Sequence, residues 1–149
     1  MRAIKPSLWF DGNLEEAVEF YTTLFPNSLV GDISRYGPDQ PGPEGSVMAA
    51  SFTLNGMGFT AINGGPQFPF TEAVSFVIEC EDQAELDHYW DALTADGGQE
   101  VQCGWLKDRF GLSWQVVPAD LAELLSSDAA VQAMLGMKKL VIADLVSAG

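Results

Sequence analysis

The chain repeats one order of predicted secondary structure, β-α-β-β-β, and this repeat limits its fold more than any other feature. The first copy opens with "AIKPSLWF" and the amphipathic run "NLEEAVEFYTTLF", whose apolar residues recur at helical spacing. The second opens with "EAVSFVIEC" and "DQAELDHYWDALTADGG". The two helices also match in detail, because the aromatic pair Phe20-Tyr21 precedes Leu24 just as Tyr89-Trp90 precedes Leu93. We infer an internal duplication.

Local signals indicate where the predicted elements end. Asn13 and Asp82 stand at helix N-cap positions, while Pro26-Asn27 and Gly97-Gly98 follow the helices as stop signals. Asn55-Gly56, between two apolar runs, predicts a tight hairpin. Two such modules predict an α+β fold of two curved mixed sheets around a cleft, with helices on the convex faces.

The end of the chain, "PADLAELLSSDAAVQAMLGMKKLVIADLVSAG", predicts a C-terminal helical appendage capped by Ser127 or Asp128. Its apolar stripe is most simply core-facing, although the same stripe could contact a partner subunit. The stripe consists of Val131, Met134, Leu135, Met137 and Leu140. We predict a single domain, with module 1 at about residues 1–66, module 2 at about 70–118 and the C-terminal helices at about 119–149.

Composition argues against several classes of function. A formal charge of −14 repels nucleic acid and anionic lipid, and the basic residues do not cluster beyond Lys138-Lys139. The sequence shows neither a signal-peptide pattern nor an apolar run of about 20 residues, so we expect a cytoplasmic protein without membrane or nucleic-acid partners. Cys80 and Cys103 are too few for a disulfide framework or a four-ligand zinc site, and we expect reduced thiols.

Four segments carry a resemblance to a known family: "LWFDGNLEEAVEFYTTLFPNS", "FTEAVSFVIECEDQAELDHYWDAL", "GGQEVQCGWLKDRFGLSWQVVP" and "AVQAMLGMKKLVIADL". In these segments the chain resembles the vicinal oxygen chelate superfamily of glyoxalases, bleomycin-resistance proteins and extradiol dioxygenases. The resemblance is to its small PhnB-like branch, whose members often carry the label 3-demethylubiquinone-9 3-methyltransferase. The block "CGWLKDRFGLSWQ" is its most specific part.

The resemblance implies a metal site for which this sequence lacks the ligands. Metal-using members place histidine and glutamate on the first and last strands of each module. Here the first strands offer Pro6 or Ser7 and Ala73 or Ser75, and Gln115 stands where the final strand usually carries glutamate. A neutral amide binds a cation far more weakly than a carboxylate does. We predict no bound metal and no other cofactor.

Other reactive groups lack partners. His88, the single histidine, lies on the second predicted helix with no second ligand spaced for it, so we interpret it as a surface or helix-packing residue. Cys103 could be a nucleophile only if a cation such as Lys107 lowered its pKa. Glu72 and Glu79 could contribute only to an unrecognised, water-rich metal site.

The resemblance places two rows of the second module on the concave side of the sheet. Strand alternation groups one row as Cys103, Trp105 and Lys107, and the neighbouring row as Ser113, Gln115 and Val117. It turns Trp114 and Val116 toward the helix-packed core. The Trp105 indole would offer a flat apolar wall to a ligand, and the Gln115 amide a donor and an acceptor. Alternatively, Trp105 plugs the cleft and Gln115 bonds neighbouring backbone.

Lys107, Asp108 and Arg109 precede a turn at Phe110-Gly111. These charges could form an exposed hairpin with a local ion pair, which would contribute little to stability. We favour a second interpretation for Asp108, in which its side chain fixes the turn.

Three functions remain, in order of preference. We expect a metal-free protein that binds a small, partly aromatic or amphipathic molecule in the cleft, as bleomycin-resistance-like members do. A metal-dependent isomerase, lyase or dioxygenase ranks below it because the ligands are missing. A methyltransferase, as the family label says, ranks third because "LNGMGF" places its Gly-x-Gly in a hairpin and not in a nucleoside-binding loop. The resemblance and the sheet edges also imply a twofold homodimer.

Overall fold

The computed structural model describes all residues, 1–149, and divides the chain into two compact units, Met1–Pro69 and Phe70–Gly149. Each unit contains a four-stranded mixed sheet with a helix packed against it. None of the helices combines the length and the apolar character that a membrane crossing requires.

Unit 1 has the predicted order β-α-β-β-β. Its elements are β1 Ser7–Phe10, α1 Leu14–Leu24, β2 Leu29–Arg35, β3 Val47–Leu54 and β4 Met57–Asn63. The strands lie in the order β1-β4-β3-β2, with β1 parallel to β4 and the other neighbours antiparallel. Asn55 and Gly56 connect β3 and β4 with positive φ angles of 48° and 80°, as the hairpin signal predicts.

Unit 2 repeats this arrangement. Its elements are β5 Ser75–Cys80, α2 Gln83–Thr94, β6 Gln99–Glu100, β7 Trp105–Lys107 and β8 Ser113–Pro118, followed by α3 Leu121–Leu124, α4 Asp128–Leu135 and α5 Ile142–Ala148. The strand order β5-β8-β7-β6 corresponds strand for strand to that of unit 1, and β5 is again parallel to β8. The predicted fold class, two βαβββ modules with C-terminal helices, is confirmed.

The core of unit 2 forms where α2 covers one face of its sheet. The helix buries Leu86, Trp90 and Leu93 at helical spacing. The sheet contributes Leu106 and Trp114, which are register partners on β7 and β8. Each such side chain stabilises the fold by roughly 1.5–3 kcal/mol through burial. Trp114 therefore faces the helix, as the alternation predicts, and the opposite face of the sheet carries the candidate site.

Two of the three predicted helix N-caps form in the structure. The side chain of Asp82 accepts a hydrogen bond from the Glu85 amide, and that of Ser127 accepts one from the Ala130 amide. The prediction for Asn13 is wrong, because its side chain makes no cap bond. An oxygen from β4 replaces it: Asn63 Oδ1 accepts from the Leu14 amide at 3.1 Å.

The C-terminal stripe contributes less to the core than its spacing predicts. Leu140 is fully buried, but Leu135 is 51% exposed, so the core-facing interpretation of Leu135 is wrong. The predicted stripe is also not continuous, because α4 ends at Leu135 with Gly136 as its C-cap and the helical spacing does not reach Leu140. Ala130 and Leu145 are buried instead.

Candidate functional site

The candidate site lies on the face of the second sheet opposite α2. On this face Trp105 of β7, Gln115 of β8 and Val77 of β5 are register partners and form one row across three strands. Lys107, Ser113 and Ser75 form the adjacent row. We call this surface, defined by these six residues, the Trp105 face.

The exposure of this face is uneven. Val77 is 52% exposed, and Trp105 and Gln115 are each half-buried. The row therefore retains apolar surface that the fold leaves accessible. The predicted placement of Trp105, Lys107, Ser113 and Gln115 on one face is confirmed by the strand register.

Cys103 departs from the predicted row. The strand begins at Trp105, and Cys103 precedes it with a left-handed φ of 59°. Its amide donates to the Met137 carbonyl at 2.8 Å, and the next amide, Gly104, donates to Lys138 at 2.8 Å. These bonds to the C-terminal segment end the strand alternation, so the prediction that Cys103 belongs to the Trp105 row is wrong.

The side chains at two of the expected metal-ligand positions form a hydrogen bond with each other. Gln115 Nε2 donates to Ser75 Oγ at 2.9 Å, across the parallel pair β5 and β8. Ser7 lies at the corresponding position of β1 and is exposed, while Pro6 and Ala73 lie outside the strands. None of these groups is a carboxylate, an imidazole or a thiolate, the side chains that hold catalytic divalent ions in proteins. These residues do not fit the metal that the resemblance implies.

The indole of Trp105 differs in its hydrogen bonding from the indoles of the other three tryptophans. Trp9, Trp90 and Trp114 each donate the indole N–H to an oxygen of the protein, at distances of 2.8–2.9 Å. Trp105 donates to none, although its ring is half-buried. A half-buried tryptophan with an unused donor can bond a ligand while its ring provides apolar contact.

Lys107 pairs with Glu72, which lies just before β5. The hydrogen bond from Lys107 lowers the pKa of the Glu72 carboxyl below its usual value, and the lysine charge acts in the same direction. Both side chains keep solvent contact, so the pair contributes little to stability. Arg109 approaches Asp96 at 3.4 Å.

Asp108 is a buried structural residue, 2% exposed. Its Oδ1 accepts from the amides of Phe110 and Leu112 at 2.8 and 3.1 Å, and its Oδ2 accepts from Trp114 Nε1 at 2.8 Å. The prediction that Asp108 fixes the turn is confirmed. The alternative of an exposed charged hairpin is wrong for this residue.

The remaining titratable candidates do not form a reactive centre. The thiol of Cys80 is buried, and burial, with smaller contributions from the charges of Glu85 and Asp82, raises its pKa to about 12. His88 is exposed and its ring contacts Tyr89. No group of three or more His, Cys, Asp or Glu side chains is arranged to hold a metal ion.

The sequence pattern predicts no ligand contact for two residues of the Trp105 face. Ser113 is buried, and its Oγ has no hydrogen-bond partner. Val77 supplies the exposed apolar end of the Trp105 row. The alternation of β5 and β8 contains both positions, but the register that brings Ser113 beside Lys107 and Val77 beside Gln115 comes from the folded sheet.

Comparison with protein-family models matches residues 2–117 to the family described as 3-demethylubiquinone-9 3-methyltransferase. The chain belongs to this family. Together with a PhnB protein that is 38% identical, the match confirms the resemblance to the PhnB-like branch of the vicinal oxygen chelate superfamily. A search of curated proteins gives no match.

Several solved structures are similar to this chain. A PhnB protein from Bacillus cereus, provisionally named 3-demethylubiquinone-9 3-methyltransferase, is 38% identical, covers 78% of this chain and 99% of its own, and gives a TM-score of 0.71. Protein PA1353 from Pseudomonas aeruginosa is 24% identical over 79% of this chain and 97% of its own, with a TM-score of 0.62. The fosfomycin resistance protein FosX from Listeria monocytogenes, 17% identical over 84% and 97%, with a TM-score of 0.58, shares the fold.

Proposed function

We propose that this family member binds a small, partly aromatic molecule on the Trp105 face without a bound metal. The observation that carries the proposal is the hydrogen bond between Gln115 and Ser75 beside Trp105, whose indole N–H makes no hydrogen bond to the protein. Two of the positions at which the resemblance implies metal ligands are here joined by this hydrogen bond. Next to them, Trp105 and Val77 present apolar surface to a ligand.

The chemistry of this face favours binding over a metal-dependent reaction. A Lewis-acid mechanism needs anionic or imidazole ligands that hold an ion and leave a position open for substrate. Glu72 is engaged by Lys107, and Glu79 lies exposed on β5. For the methyltransferase activity in the family's name, the Gly-x-Gly of "LNGMGF" forms the hairpin between β3 and β4, not a loop between a strand and a helix.

We expect the purified protein to contain no stoichiometric divalent ion. Because no metal stabilises the fold, prolonged treatment with a chelator should leave the melting temperature unchanged within about 1 °C. Elemental analysis before and after chelation, combined with differential scanning fluorimetry, checks both statements. About one Zn, Mn, Ni or Fe per chain, or a clear destabilisation by the chelator, would overturn the metal-free proposal.

We also propose a twofold homodimer. Strand β2 is a sheet edge, all seven of its residues are exposed, and Leu29, Val30 and Ile33 are among them. Exposed apolar edges need covering, and closed twofold pairing is the commonest way for identical chains to do so. Light scattering at micromolar concentration should therefore give twice the chain mass of 16.1 kDa. The mass of a single chain would contradict the dimer.

A further inference from the structure

Ser113 is an unusual residue for the centre of a sheet. Only 1% of it is exposed, and its Oγ has no hydrogen-bond partner. An unsatisfied buried hydroxyl is unfavourable, and in a native protein it calls for an explanation, such as a bound water, an ion or a role in binding or catalysis. Ser113 lies on the Trp105 face, on β8 between Lys107 and Ser75.

The neighbours of Ser113 are hydrogen-bond donors. Ser75 Oγ accepts from Gln115 Nε2, which leaves the Ser75 hydroxyl proton available to another group. On the other side, Lys107 provides a positively charged ammonium group. Side chains of directly opposed strand residues lie about 5 Å apart at Cβ. Two hydroxyl donors and one cation can therefore approach the same small acceptor.

Glu72 already supplies a carboxylate to this row. Lys107 is on β7 and Glu72 lies just before β5, so their ion pair links β7 to the segment that leads into the strand on the other side of β8. The side chains are 33% and 56% exposed, respectively. An ion pair with this much solvent contact is weak, and another carboxylate can displace Glu72 at small cost.

We infer, resting on the proposed function, that the ligand carries a carboxylate, which displaces Glu72 from Lys107 and accepts a hydrogen bond from the hydroxyl of Ser113. The adjacent row, with Trp105 and Val77, contacts the aromatic part of the same molecule. The ligand class is therefore a small aromatic carboxylate. Long-range attraction cannot produce this preference, because the chain carries a formal charge of −14 and repels anions.

The test compares benzoate with benzamide, and phenylacetate with phenylacetamide, in calorimetric titrations of the intact, chelator-treated protein. Each pair has nearly the same shape and differs in charge. We expect each acid to bind at least about tenfold more tightly than its amide, since hydrogen bonds to charged groups are roughly twice as strong as neutral ones.

Three variants identify the contacts. Ser113→Ala should weaken benzoate binding about tenfold, leave benzamide binding unchanged, and keep or raise the melting temperature because it removes an unsatisfied hydroxyl. Lys107→Met should also weaken benzoate binding. Glu72→Gln should strengthen it about two- to fivefold, because it removes the internal competitor.

The ion pair between Lys139 and Asp87 provides matched controls. Its Nζ–Oδ1 distance is 3.0 Å, and the two side chains are 34% and 41% exposed, respectively. Lys139→Met and Asp87→Asn make the same charge changes away from Ser113 and should leave benzoate binding unchanged. If acids and amides bind equally well, or if Ser113→Ala and Glu72→Gln leave benzoate binding unchanged, the carboxylate inference is wrong while binding to the face stands. If none of the four compounds binds but another aromatic compound from a thermal-shift screen does, the carboxylate inference is wrong and the proposed function stands. If no aromatic compound binds, both fail.

Discussion

Replacing Asp108 with alanine should lower the free energy of unfolding by about 3–5 kcal/mol. The carboxylate accepts hydrogen bonds from the Phe110 and Leu112 amides and from the Trp114 indole, and it is almost fully buried. Alanine would leave these donors without their acceptor in a site that admits little water. Chemical denaturation followed by tryptophan fluorescence and by circular dichroism measures the change.

Asp96, an aspartate that is mostly exposed to solvent, provides a control for this effect. Asp96 pairs with Arg109 at 3.4 Å, but its side chain is 77% exposed. Asp96→Ala should change the free energy of unfolding by less than about 1 kcal/mol. If Asp108→Ala is as mild as Asp96→Ala, the buried carboxylate does not hold the hairpin between β7 and β8.

The second large effect concerns Trp105. Trp105→Ala should abolish measurable binding of aromatic compounds found for the parent in a thermal-shift screen, while the protein remains folded. The ring is half-buried and makes no hydrogen bond to the protein, so its loss removes a ligand-contacting surface more than a structural contact. Gln115→Leu should also weaken binding, because it removes the amide and its bond to Ser75 at nearly constant volume.

Trp90 provides the comparison for a tryptophan that fills the core. It is 1% exposed and donates to Glu100, so Trp90→Ala should cost about 3–5 kcal/mol of stability. Trp105→Ala should cost clearly less. If Trp105→Ala destabilises the fold as strongly as Trp90→Ala, or if both Trp105→Ala and Gln115→Leu bind aromatic compounds as the parent does, Trp105 is a plug and the Trp105 face is not a ligand site.

Much of the fold follows from patterns that extend over only a few residues. The helical spacing in α1 and α2, the Asp82 cap and the Asn55-Gly56 hairpin are local, and the structure contains all of them. Period-two alternation likewise placed Trp105 and Gln115 on one face, because both lie inside regular strands.

The errors arise where distant residues determine the local structure. Cys103 leaves the strand because its amide bonds Met137, which is 34 positions away in the sequence, and no pattern around Cys103 announces this contact. Asn63 replaces Asn13 at the start of α1 for the same reason. The turn role of Asp108 is local and predictable, but its bond to the Trp114 indole depends on the β7–β8 register.

The most direct test of the central claim is a two-dimensional ¹H–¹⁵N NMR titration of chelator-treated protein with an aromatic compound from the thermal-shift screen, observed at the four indole N–H groups. Trp9, Trp90 and Trp114 already donate to protein oxygens, whereas Trp105 does not. We predict that the Trp105 indole resonance and the Gln115 side-chain amide shift saturably, and that the Trp90 and Trp114 indoles stay in place. Saturable binding that leaves Trp105 unperturbed, or binding that appears only after a divalent metal is added, would contradict metal-free recognition on the Trp105 face.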